Sequence, residues 1–145
     1  MAAQAPARRG SSRTKARKRA LDILFEADLR AIPVADVLAL HTELGDPPVR
    51  PFTTELVEGV VRHQADLDQA IASVLPQGWT LGRMARVDRN LARLAVFEID
   101  HTDLPPEIAV AEAVGLARDL STDESPAFLN GLLGAIVRRR SAGTA

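Results

Sequence analysis

Apolar residues in this chain recur at three- and four-residue spacing along nearly its whole length and almost never alternate, which commits it to helices rather than sheet. The clearest run is Ala16, Ala20, Ile23, Leu24 and Ala27, one buried face of a helix that Ser11 or Ser12 can cap. Aromatic residues make up only 3% of the chain, so the β-branched and aromatic stock of a sheet is thin. Hydrophobic residues reach 46%, enough for a packed core in a chain of 145 residues.

The same spacing lays out the remaining helices. A second begins with Pro33 in its first turn, turns Val34, Val37, Leu38 and His41 inward, and stops at Gly45. Thr53 or Thr54 opens a third stretch, with Leu56, Val57, Val60, Leu67 and Ile71 on its inner side. Its pattern thins at His63 and Gln64, which leaves one bent helix or two short ones open. Pro76-Gln77-Gly78 ends it, and Thr80 is expected to cap a long helix to about Ile99 with Met84, Val87, Leu91, Leu94 and Ala95 inward. Pro105-Pro106 and Ser125-Pro126 start the last two, whose inner faces carry Ala109, Ala113, Leu116, Ala117 and Leu120, then Leu129, Leu132, Leu133 and Ile136. The expectation is an all-α fold of six to seven helices, with a disordered basic arm over 1–11, one helical domain over 12–140 and a disordered tail over 141–145.

Charge is distributed unevenly. Seven of the 18 basic residues fall within positions 1–19, where there is no acid; the other 11 face all 19 acids, a net of −8. A basic arm on an acidic body is the electrostatic footprint of a polyanion binder. Cations at the start of the first helix also oppose its macrodipole, a poor choice for stability alone but a good one for phosphate. On the helix, Lys15, Lys18 and Arg19 lie away from the buried stripe, with Arg13 and Arg17 nearer its edge, an arrangement that RNA phosphates could use.

The first helix carries a second apolar line, Leu21, Phe25 and Leu29. Either the helix lies deep between neighbours or this line receives a partner protein. Arg83, Arg86, Arg89 and Arg93 share a side of the long helix, as a solvated face or an extension of an RNA track. Glu98 falls among that helix's apolar residues and needs a partner, so it reads as a structural tie rather than a catalytic group. Gly131 suggests close helix packing, and Asn130 a polar junction between helices.

No phosphate-binding loop, dinucleotide fingerprint or HExxH motif is present, and His41, His63 and His101 lack ligand spacing. With no cysteine there is no disulfide or thiolate site. The expectation is therefore a non-enzyme without cofactor or metal. No apolar run is long enough for a membrane span, and a cytoplasmic location is expected.

Three stretches together resemble the NusB family of antitermination factors. They are Arg17-Lys18-Arg19-Ala20-Leu21-Asp22-Ile23-Leu24-Phe25, then Val87-Asp88-Arg89-Asn90-Leu91-Ala92-Arg93-Leu94-Ala95-Val96-Phe97-Glu98, and a paired C-terminal motif. That motif joins Glu112-Ala113-Val114-Gly115-Leu116-Ala117 to Phe128-Leu129-Asn130-Gly131-Leu132-Leu133, and is the most specific of the three. The resemblance implies two small fused helical bundles. It implies binding of boxA RNA of ribosomal RNA operons together with a small-subunit ribosomal protein, NusE, in a complex that acts on RNA polymerase. By position it assigns Arg13, Lys15, Arg17 and Lys18 to RNA, Glu124 and Phe128 to a second RNA-facing patch, and Phe25 and Asp88 to the ribosomal protein. When that partner is absent, the Leu21-Phe25-Leu29 line leaves a monomer and a homodimer both open.

Other readings are a NusB-like module of a ribosomal-RNA cytosine methyltransferase, a helical interaction adaptor with an incidental basic arm, and a DNA-binding regulator. No Gly-rich cofactor region follows within this sequence, and no helix-turn-helix spacing is present.

Overall fold

The computed structural model describes residues 11–143; the expected disorder over 1–10 and at 144–145 lies outside that range. Six α-helices follow in order: α1 (Ser12–Arg30), α2 (Val34–Leu44), α3 (Pro51–Val74), α4 (Arg86–His101), α5 (Pro106–Leu120) and α6 (Ser125–Gly143). There is no strand among the described residues. The last helix runs three residues beyond the expected boundary, so 141–143 are helical rather than part of a loose tail.

Local chemistry sets most of the ends. Ser11 is extended and its Oγ accepts from the Thr14 N–H at 3.1 Å, so it is the N-cap of α1. Pro51 at the first position of α3 starts that helix earlier than Thr53. The helix then continues through His63 and Gln64 without interruption. Thr80 does not cap α4; it precedes a 3-10 turn over Leu81–Arg83, and α4 begins at Arg86.

The helices form two groups, α1–α3 and α4–α6, joined chiefly through α4, which packs against α1, α3, α5 and α6. One continuous core runs through both groups. The first stripe of α1 is buried throughout, as its spacing predicts. Gly59 on α3 makes room for Phe97 of α4: a Cβ at Gly59 would overlap that ring.

Polar ties show that α1 and α4 run antiparallel. Near the start of α1, Arg17 bonds to Glu98 in the second half of α4. Near the end of α1, Asp28 accepts from Arg89 Nη2 at 2.6 Å and from Asn90 Nδ2 at 3.2 Å, both at the start of α4. At ~1.5 Å of rise per residue, these two ties stand about 15 Å apart. Arg93 pairs with Asp68 of α3 at 2.7 and 3.0 Å. Arg89 and Arg93 are thus neither a solvated face nor a phosphate track; they hold helices together.

Gly131 and Asn130 are exposed, and a Cβ at Gly131 would touch nothing. The expected close packing and polar junction are absent there, and the fold offers no physical account of that glycine.

Candidate nucleic-acid interface

The start of α1 gathers the exposed cations. Lys15 and Lys18 point to solvent, with Lys18 3.8 Å from Asp22 one turn on. Arg13 is exposed and lies over the Phe52 ring of α3, 4.4 Å from its centroid, a stacked contact that orders the guanidinium. Arg50, the residue before α3, donates from Nη1 to the Ser12 carbonyl at 2.7 Å and adds its charge to this end. Together with Arg19, Asp22 and Pro47, residues Lys15, Lys18 and Arg50 line a concavity of about 320 Å³. Arg50 was not singled out from the sequence, because it sits in a loop far from the basic arm and only the fold brings it there.

Arg17 belongs to a different layer. It is 3% exposed, and its guanidinium donates Nε and Nη2 to the two oxygens of Glu98, each at 2.8 Å, and Nη1 to Glu112 at 2.8 Å. Glu112 also accepts from Thr14 Oγ1 at 2.9 Å. Burial alone would lower the Arg17 pKa, but the hydrogen bonds and charges of the two carboxylates outweigh it and raise it further. The expectation that Arg17 contacts RNA is therefore corrected: the side chain is enclosed and spent on two carboxylates. The tie expected of Glu98 is this bond.

The second apolar line of α1 divides. Leu21 is 2% exposed and sits in the core, so it is not a partner contact, because α1 packs against α2, α3 and α4 rather than one neighbour. Phe25 is half-buried, while Leu29 is 55% exposed.

Asp88 is corrected as well. It is 6% exposed, and its two oxygens accept from Ser121 Oγ at 2.7 Å and Ser125 Oγ at 2.8 Å. Those hydroxyls tie the loop before α6 to the first turn of α4, where a carboxylate also suits the helix dipole. Asp88 thereby fixes where α6 begins, and with it the patch around Glu124 and Phe128. Glu124 is exposed, and Phe128 is half-buried one helical turn later. Trp79, which sequence periodicity passed over, packs against Phe128 with ring centroids 6.0 Å apart. This patch lies toward the start of α4, the end opposite Arg17 and the exposed cations.

Among the described residues no cluster of His, Asp or Glu has the arrangement of a metal site, and no helix is long and apolar enough to cross a membrane.

Comparison with known proteins agrees with this architecture. A protein called transcription antitermination protein NusB from Acidothermus cellulolyticus is 51% identical over 135 residues, covering 92% of both chains. One of the same name from Cutibacterium acnes is 54% identical over 127 residues; these are 88% of this chain but 49% of that relative, so the chain spans about half its length. Among solved structures, NusB of T. maritima superposes with a TM-score of 0.76 at 26% identity, covering 88% of this chain and 92% of that one. A crystal structure of the antitermination factors NusB and NusE in complex with dsRNA matches with a TM-score of 0.77 at 26% identity, covering 88% and 96%. The NusB family model matches residues 14–138, from the buried Thr14 to the basic end of α6, and by that match the chain belongs to the NusB family.

Proposed function

We propose that this protein is a transcription antitermination factor that binds boxA-type RNA of ribosomal RNA operons together with the ribosomal protein NusE. The observation that carries the reading is the exposed set Arg13, Lys15, Lys18 and Arg50, converging from two helix starts on one end of a NusB fold. Side chains there are exposed and can neutralise phosphates, while the buried Arg17 holds the helix that presents them.

The work is assembly rather than chemistry. Phosphate contacts at the α1 start supply affinity, and Glu124 and Phe128 at the other end contribute base contacts. NusE docks on the end of α1 through Phe25 and Leu29, with Leu21 supporting them from beneath. The relatives' names and the structure of NusB and NusE with dsRNA support RNA and NusE as the two partners. The complex acts in the cytoplasm on elongating RNA polymerase. Two proteins sharing one RNA bind it more tightly than either alone. Without NusE, the Leu29 surface is where a second copy of the chain would pack.

Fluorescence anisotropy tests the reading with a labelled boxA-type RNA and a scrambled control, across salt concentrations, with and without NusE. The expected result is a preference for boxA that NusE sharpens and that weakens steeply with salt. Equal, negligible binding of both RNAs in every condition overturns it. Sedimentation of the protein alone at rising concentration reads out the homodimer.

A further inference from the structure

Trp79 is the only tryptophan of the chain, and 45% of it is exposed. It is held in place by its turn. The Trp79 N–H donates to the Pro76 carbonyl at 3.0 Å, and Gly78 takes the left-handed conformation, φ +88°, that such a turn requires at this position. One flank of the ring meets Phe128 at 6.0 Å and 39°. Arg83 places its guanidinium 5.5 Å from the Trp79 centroid while Nη1 donates to the Gly78 carbonyl at 2.8 Å. The 3-10 turn that follows, Leu81–Arg83, is fastened to α4 by Arg89 Nη1, which donates to the Leu81 carbonyl at 3.1 Å.

A rigid, half-exposed indole beside a second aromatic ring and a guanidinium plane offers what an unstacked nucleobase takes up: flat apolar surface with a cation at its edge. The exposed residues just before α6, Asp123 and Glu124, are acidic and work against a phosphate on the Phe128 side of the ring. A carboxylate at Glu124, one helical turn before Phe128, can instead accept from a base's exocyclic amine.

We infer that Trp79, with Phe128 and Arg83, forms a stacking platform for a base of single-stranded RNA. The inference rests on the RNA-binding reading above and adds Trp79 and Arg83 to it. Contact is to a base, so this site contributes affinity with little dependence on salt, unlike the cations of α1.

The single tryptophan makes the test direct. Intrinsic fluorescence of the wild-type protein is followed during titration with boxA-type RNA, and in parallel with NusE alone, while anisotropy of labelled RNA reports binding independently. Trp79→Ala, Trp79→Phe and Arg83→Ala are measured by anisotropy, with melting curves to confirm folding. The expected result is a fluorescence change that saturates at the affinity seen by anisotropy. Trp79→Ala should weaken binding about 5- to 150-fold, the cost of one lost stacked base, with an unchanged salt slope. Trp79→Phe should retain most of the affinity. RNA binding that leaves both the fluorescence and the Trp79→Ala affinity unaltered overturns the platform while leaving the RNA-binding reading intact. A fluorescence change produced by NusE and not by RNA assigns the surface to protein and overturns it too. No RNA binding by anisotropy overturns both.

Discussion

Arg17 and Glu98 form a two-point bond inside the protein, Nε to Oε1 and Nη2 to Oε2, both at 2.8 Å and across 81 positions of sequence. Removing one partner of such a pair strands a buried charge, which costs about 3–5 kcal/mol. Arg17→Ala should therefore lower stability by that order in urea denaturation. Its RNA affinity, measured well below the midpoint, should fall far less than that of an Arg13 and Lys15 double variant. A variant as stable as wild type would contradict the enclosed placement of Arg17.

The exposed cations should behave in the opposite way. Lys15→Ala and Arg50→Ala are each expected to leave stability within about 0.5 kcal/mol. Each should weaken binding of boxA-type and scrambled RNA alike and reduce the salt slope by about 1. Titration at several salt concentrations reads this out, and an unchanged slope for Arg50→Ala would remove it from the interface.

On the second apolar line, position decides the outcome. Leu21→Ala creates a core cavity and should cost about 2–5 kcal/mol. Leu29→Glu touches an exposed side chain, so the melting temperature should hardly move while binding of NusE weakens, as calorimetry would show. Unimpaired NusE binding by Leu29→Glu would place the partner elsewhere.

Acid stability has an identifiable source at the far end of α1. Burial alone would raise the Asp28 pKa, but hydrogen bonds from Arg89 and Asn90, with the charges of Arg89 and Arg86, hold it below the ordinary carboxylate value. Hydrogen bonds from His41 and Arg30 hold the more exposed Glu26 low as well. A carboxyl that binds its proton less readily when folded stabilises the protein fully above its unfolded pKa of about 4, and loses that contribution as pH falls through the folded value. Stability should decline below about pH 4, and Asp28→Asn should flatten that decline. Identical acid limbs for the variant and wild type in urea titrations would refute the assignment.

What the sequence made legible follows the reach of each interaction. The buried stripe of α1 and its Ser11 cap depend on neighbours within one or two turns, and spacing alone reveals them. Arg17 lay near the edge of that stripe and Glu98 among apolar residues, so each hinted at burial. Their pairing, however, joins helices far apart in the chain, and local pattern holds no record of it. The resemblance to relatives with an arginine-rich start drew Arg17 to the surface for the same reason. Trp79 escaped notice because it stands in a turn, where periodicity has nothing to say.

The antiparallel pairing of α1 and α4 has a consequence for the RNA itself. Fastened at Arg17–Glu98 and again at Asp28–Arg89, the two helices keep the cationic end and the aromatic end at a set separation of about 15 Å or more. The pair works as a molecular ruler. An oligonucleotide too short to reach from one end to the other gains only one set of contacts, and affinity should rise in a step, not gradually, at the length that first bridges them.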